Sequence, residues 1–281
     1  MLRPRLSFGV ILCLATFCTS RAAEIPITGR ALGGSGKPIP EADVMLLRAV
    51  DPITKARLDL EGKLPDAVAR GRTDVEGHFE INAPDAGLYS VRIEAPGFVA
   101  VEHRLVPLLE PADLPDAELA QDVGLTVRAT VENGRPLSGA TARISPPRPR
   151  FGPVPPSWVP AARLGRTAKD GAVRMARGES EPLVLTVTAA GYLLEDRRNV
   201  RGTSAAFRLK AGVGRRIQVG SPDGRPVEGA LVSAPDTLHP LGTTDARGSL
   251  VVSVPPAGSA RVAVFASDAT TAGSTASLVL D

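Results

Sequence analysis

The sequence predicts an all-β chain of tandem Greek-key antiparallel β-sandwiches in three repeats, and three observations carry that expectation. One turn-and-strand string occurs three times, as "GSGKPIPEADVML" from Gly34, "VENGRPLSGATARI" from Val131 and "SPDGRPVEGALV" from Ser221. Glycine and proline are abundant, 28 and 26 residues, while aromatics make up only 4%, which suits many turns and small cores. Apolar residues alternate with period two where strands are expected, as at Val91/Ile93, and no helix of ordinary length is called for.

Taken in chain order, residues 1–22 read as a secretory signal peptide. Arg3 and Arg5 precede an apolar run from Phe8 to Phe17, and Ser20-Arg21-Ala22 places small residues where a signal peptidase reads. The run is too short for a stable bilayer anchor, so no integral membrane span is expected after cleavage. Cys18 follows bulky Phe17, a poor context for lipid attachment. Losing Arg3, Arg5 and Arg21 would bring the 33 basic residues to parity with the 30 acidic ones. A neutral mature chain gives no drive toward nucleic acid. Both cysteines, Cys13 and Cys18, would leave with the leader, so no disulfide is expected and folding rests on burial.

The repeats are expected at 23–120, 121–211 and 212–281, the third being the shortest. Each opens with a strand into a Gly-basic-Pro turn: Gly36-Lys37-Pro38, Gly134-Arg135-Pro136, Gly224-Arg225-Pro226. Asn133 and Asp223 precede two of these glycines, forming pairs that tolerate positive φ in tight turns. A short apolar strand follows at Ala42 to Leu47, Ala140 to Ile144 and Ala230 to Val232. A second polar turn closes on Gly77, Gly171 and Gly248, in "RTDVEGHFEI", "RTAKDGAVRM" and "TTDARGSLVV". The alternating strands "YSVRIEAPGF" from Tyr89 and "LVLTVTAAGY" from Leu183 end in Gly-aromatic corners, which "ARVAVFASDA" from Ala260 lacks. Apolar closing strands start at Ala117, Ala206 and Ser277, and short links at Gln121–Gly124 and Lys210–Gly214 lead into the next repeat. Sandwiches stacked through links this short would make a semi-rigid rod.

These motifs, Gly-Arg-Pro-x-x-Gly-Ala, Thr-Asp-x-x-Gly-x-Phe and Tyr-x-Val-x-x-x-Ala-Pro-Gly-Phe, resemble those of the carboxypeptidase regulatory-like domain. The resemblance implies a prealbumin-like (transthyretin-like, carbohydrate-binding-like) β-sandwich in three tandem copies. The first copy matches best through Thr73, Asp74, Gly77, Phe79, Tyr89, Ala95, Pro96, Gly97 and Phe98, and departs at Pro40-Glu41-Ala42. The second keeps Gly134 to Pro136, Gly139, Ala140, Asp170, Gly171, Gly191 and Tyr192; the third keeps Gly224 to Ala230, Thr244, Asp245 and Gly248, then fades. Nothing in the chain resembles the catalytic domain of the carboxypeptidases that carry such modules.

Chemistry-bearing constellations are sparse. His78, His103 and His239 are scattered, with no zinc-ligand spacing, so no metal and no cofactor is expected. The acids in Asp74-Val75-Glu76-Gly77 read as turn formers, because calcium wants six to eight oxygens. No nucleophile elbow, phosphate loop or dinucleotide fingerprint occurs, which leaves no catalytic residues to name and no enzyme to expect. Two inserts break the repeat: Val50 to Gly71, and the proline-dense Pro146 to Arg166. The second carries Arg148, Arg150, Phe151 and the only tryptophan, Trp158. Trp158 either stacks on a sugar ring or anchors a partner, with its neighbours as ligand-binding residues, or it folds back over a sandwich edge. The Arg-rich, Lys-poor composition suits a GC-rich bacterium. The expected function is a noncatalytic exported structural, adhesion or protein-interaction module, periplasmic, surface-bound or secreted, with a cell-envelope protein or glycan as partner. A carbohydrate-binding module built around Trp158 is the alternative, and an accessory to an envelope enzyme or transporter follows it.

Overall fold

The computed structural model describes residues 24–145, 158–181, 183–234, 239–256 and 262–265. The expected leader, Arg148, Arg150, Phe151 and the closing segment from Ser277 lie outside the described residues. The described chain is nearly all strand and builds β-sandwiches around three separate clusters of buried apolar side chains.

Unit 1 contains β1 (Ile25–Gly33), β2 (Asp43–Arg48), helix α1 (Pro52–Glu61), β3 (Ala67–Arg72), β4 (His78–Ala83), β5 (Gly87–Glu94), β6 (Val101–Leu108), β7 (Ala112–Asp113) and β8 (Ala117–Leu119). Unit 2 contains β9 (Leu125–Val131), β10 (Thr141–Ser145), β11 (Trp158–Pro160), β12 (Arg163–Arg166), β13 (Ala172–Met175), β14 (Val184–Thr188), β15 (Glu195–Arg198) and β16 (Ser204–Leu209). Unit 3 contains β17 (Val213–Gln218), β18 (Leu231–Ala234), β19 (His239–Thr243), β20 (Ser249–Val254) and β21 (Ala263–Phe265).

The pairing repeats with the sequence. β1, β9 and β17 pair antiparallel with β4, β13 and β20, while β2, β10 and β18 each lie between two antiparallel neighbours in the facing sheet. Alternation sends every second side chain into the space between the sheets. Ile27 and Ala31 meet Val44, Leu46, Val91 and Ile93 in unit 1; Val127 and Ala129 meet Ala142, Ile144, Leu185 and Val187 in unit 2. One feature goes beyond an antiparallel plan: β7, β8 and β16 pair parallel to β1 and β9. The closing strand crosses over from the facing sheet and arrives running the same way as the strand that opened the unit.

The Thr-Asp-Gly turn is a threefold bracket. The hydroxyl of Thr73 accepts from Ala42 N (2.8 Å) and donates to Ile39 O (2.7 Å). Thr167 does the same with Ala140 N (2.9 Å) and Leu137 O (2.6 Å), and Thr244 with Ala230 N (2.9 Å) and Val227 O (2.6 Å). All three threonines are buried, so each hydroxyl satisfies two backbone groups that water does not reach. Replacing any one by valine keeps the shape and removes both bonds. Each single variant is expected to lose about 1–3 kcal/mol in denaturant unfolding.

The sequence calls for no helix of ordinary length; the first insert nevertheless forms α1, ten residues long. Asp51 caps it, accepting from Ile53 N (2.9 Å) and Thr54 N (3.0 Å), and Pro52 sits where a missing N–H costs nothing. Gly62, at φ 68, ends it in the left-handed region, and Lys63 N closes back onto Leu58 O at 2.9 Å.

Candidate functional site

The two inserts set apart by the sequence are where the units meet. The links are fixed first. Asp122 N donates to Gly97 O (2.8 Å) and Gly212 N to Gly191 O (2.9 Å), so each Gly-aromatic corner holds the link that leaves its unit. The Asp122 carboxylate accepts from Gly124 N (2.8 Å) and Arg177 N (2.9 Å), tying the first link into unit 2.

The second insert then reaches back. β11 pairs antiparallel with β6, Trp158 opposite His103 and Pro160 opposite Val101, and becomes the outer strand of unit 1's larger sheet. Trp158 packs against the unit 1 core, its indole N–H donates to Pro115 O (2.7 Å), and its ring meets His103 edge-on at 5.2 Å. Ala161 is fully buried and donates to Ala100 O at 2.8 Å. Covering β6 in this way removes an open sheet edge that would otherwise template association. The matching strand of unit 2, β15, instead carries the charged run Glu195-Asp196-Arg197-Arg198.

The first insert reaches forward. Asp59 on α1 pairs with Arg143 of β10 at 2.6 Å, with both side chains largely buried, and Arg57 donates to Gly229 O of unit 3. Unit 1 therefore touches both later units. The rod expected from short links alone is corrected: the inserts cross the links and bring all three units into mutual contact. A second buried pair, Arg163 with Glu181, lies just after β11, and Glu181 also accepts from Gly178 N (3.0 Å).

Of the residues proposed for ligand contact, only Trp158 is described, and its polar atom and one edge are engaged within the protein. Among the described residues no group of three or more His, Cys, Asp or Glu is placed to share a metal ion. Asp74 accepts from Glu76 N (3.0 Å) and His78 N (2.8 Å), and Asp245 from Arg247 N (2.9 Å) and Ser249 N (2.8 Å), which is turn formation. Also among the described residues, no helix is long and apolar enough to cross a membrane.

The joint carries a pH dependence. Burial holds the His103 imidazole below its usual value, and its Nδ1 is buried without a hydrogen-bond partner. Trp158 and Val91 lie opposite it across the strands, with Glu102 and Arg104 beside it on β6. The unfolded chain takes up this proton at higher pH than the folded one, so the stability is complete above about pH 6.5 and is lost as pH falls through the folded value. Asp51, lowered chiefly by its bond with Thr54, and Asp245, lowered by the Ser249 N–H, lose their share only in the carboxylate range, below about pH 4. Thermal unfolding from about pH 8 to about pH 5 should therefore fall for the natural chain and stay flatter for His103→Phe.

No family model matches the chain, and no curated protein matches it. Solved structures do. A type II cohesin–X-dockerin complex from Acetivibrio cellulolyticus is 15% identical, covering 35% of this chain and 58% of that one, with TM-score 0.27. The Bacillus anthracis TIE protein is 14% identical, covering 92% of this chain and 48% of that one, with TM-score 0.26. The minor pilin GBS52 of Streptococcus agalactiae is 16% identical, covering 70% and 98%, with TM-score 0.27. The chain thus spans roughly half the length of the first two.

Proposed function

We propose that the chain is an exported, noncatalytic β-sandwich protein of three tandem units, related to the carboxypeptidase regulatory-like domains, that acts as a structural or protein-interaction component of the cell envelope. The clasping of the inserts supports this reading most directly. The described parts of the two inserts, where a scaffold would ordinarily carry a catalytic or binding loop, are spent on joining units: α1 on Arg143 and Gly229, β11 on β6. The motif residues that could suggest chemistry, Thr73, Asp74, Thr244 and Asp245, are used up in turn bonds. Among the described residues, outward sheet faces and loop ends are held at fixed relative positions, which suits one preorganised contact surface.

Export to the periplasm, surface or medium belongs to this proposal through the leader of residues 1–22. A glycan contact through Arg148, Arg150, Phe151 and Trp158 is the alternative. Immobilised chain exposed separately to envelope proteins and to protease-treated envelope glycans decides between them. Saturable capture of a defined envelope protein is expected. Glycan capture that shifts Trp158 fluorescence would replace the interaction reading, and turnover by the pure chain in a hydrolase panel would overturn it.

A further inference from the structure

A cleft of about 340 Å³ opens where the three units converge, bounded by α1, by the outer face of the β12-β10-β14 sheet and by β19 and β20. Its size is at the lower end of small-molecule pockets, about 300–1,000 Å³. Its floor is a polar row across three adjacent strands. Thr141 on β10 stands opposite Arg166 on one side and Thr188 on the other, so these side chains share a face. Arg143 lies two residues along the same strand, and Tyr192 lines the cleft beside it.

This floor is underused by the protein itself. Among the described residues, the Arg166 guanidinium, the Thr141 and Thr188 hydroxyls and the Tyr192 hydroxyl have no hydrogen-bond or ion-pair partner. Arg143 gives one nitrogen to Asp59 and leaves its Nε buried without a partner. Since Arg143 and Asp59 neutralise each other, Arg166 leaves the cleft with a net positive charge. The opposite wall is apolar, with Leu60, Leu241 and Val251, the last 61% exposed, and Leu164 adds an apolar patch to the floor opposite Arg143. A guanidinium fork beside hydroxyls recognises a carboxylate in plane, and an apolar wall takes a hydrocarbon body.

We propose that this cleft binds a small amphipathic carboxylate, the chemistry shared by a free N-acylated amino acid and by the C-terminal end of a peptide. Arg166 takes the carboxylate, Thr141, Thr188 and Tyr192 bond its oxygens or a neighbouring amide, and the apolar wall takes the side chain. Because the walls come from all three units, the ligand favours the clasped arrangement over any opened one. The inference does not depend on the interaction reading above.

The test is calorimetric titration of the full chain with N-acetyl-L-phenylalanine, its amide, and the tripeptide Ala-Ala-Phe. Ligands of this size allow a Kd on the order of a millimolar or tighter. The acid is expected to bind at least about tenfold more tightly than the amide, and Arg166→Met, which should leave thermal unfolding unchanged, is expected to abolish that difference. Tyr192→Phe should weaken binding more modestly. Binding of the tripeptide identifies peptide ends as ligands; binding of the acetylated residue alone identifies the free acid. Equal binding of acid and amide, an unchanged affinity in Arg166→Met, or silence up to about 10 mM, well beyond what such a ligand size allows, overturns the proposal.

Discussion

Trp158→Ala is expected to lower the stability of unit 1 by about 3 kcal/mol, even though residue 158 lies outside that unit's own stretch of chain. The side chain packs on the unit 1 core and donates to the exposed Pro115 O, so truncation removes apolar burial and that hydrogen bond. The strand it anchors loses its hold on β6, and the amides of β6 that face β11 should exchange faster with solvent. Trp158→Phe separates the contributions. It keeps an aromatic ring on the core and loses the N–H, and should cost about 1 kcal/mol, the worth of one hydrogen bond. Denaturant unfolding followed by circular dichroism reads both variants. A Trp158→Ala chain within about 0.5 kcal/mol of the natural one, the range of an inconsequential surface change, would show that the tryptophan is an idle surface residue.

Gly77→Ala should be as costly, for a different reason. Gly77 has φ 80, and a Cβ there would stand 2.5 Å from Ala31 O on the neighbouring strand. That carbonyl belongs to the β1 backbone, whose Ala31 N–H already bonds Gly77 O at 2.8 Å, so neither side can yield without breaking the ladder. The left-handed conformation alone costs a side chain about 1–2 kcal/mol, and the clash should bring the loss to about 3 kcal/mol. Gly36 provides the control. Its φ is 73 but a Cβ would meet nothing within 4 Å, so Gly36→Ala should lose only the conformational share. Equal losses at the two positions would mean that the close approach contributes nothing. A Cβ on Gly171 or Gly248 would stand 2.5 or 2.3 Å from the equivalent carbonyls of Ala129 and Val219, and both positions should behave like Gly77.

The turns and strands were legible because their chemistry is local. A glycine at positive φ, an aspartate bonding amides two to four residues ahead and a threonine at the start of the turn each leave a mark within ten residues of sequence, three times over. Helix α1 also left a local mark, the Asp51-Pro52 start and the Gly62 stop, but it lies inside an insert that interrupts the repeat, where the repeat itself gives no guidance. Of the joints, only the folding back of Trp158 over a sandwich edge is legible in the sequence, and not which edge it covers. β11 is three residues long and pairs with a strand more than fifty positions earlier. Nothing in Trp-Val-Pro specifies that partner, since the bonds are backbone bonds that any extended segment can make. The Asp59–Arg143 pair joins residues of different units whose neighbours in sequence are ordinary helix and strand surface. The polar row Arg166-Thr141-Thr188 is likewise assembled by register between three strands and is invisible along the chain.

Small-angle X-ray scattering on the leader-free chain reports whether the inserts hold three sandwiches in mutual contact. Three sandwiches touching one another should give a radius of gyration of about 22 Å, and the same three strung end to end about 28 Å. The natural chain is expected to give the smaller value, and a chain carrying both Trp158→Ala and Asp59→Ala to rise toward the larger. A natural chain already near the larger value, unchanged by those substitutions, would contradict that mutual contact.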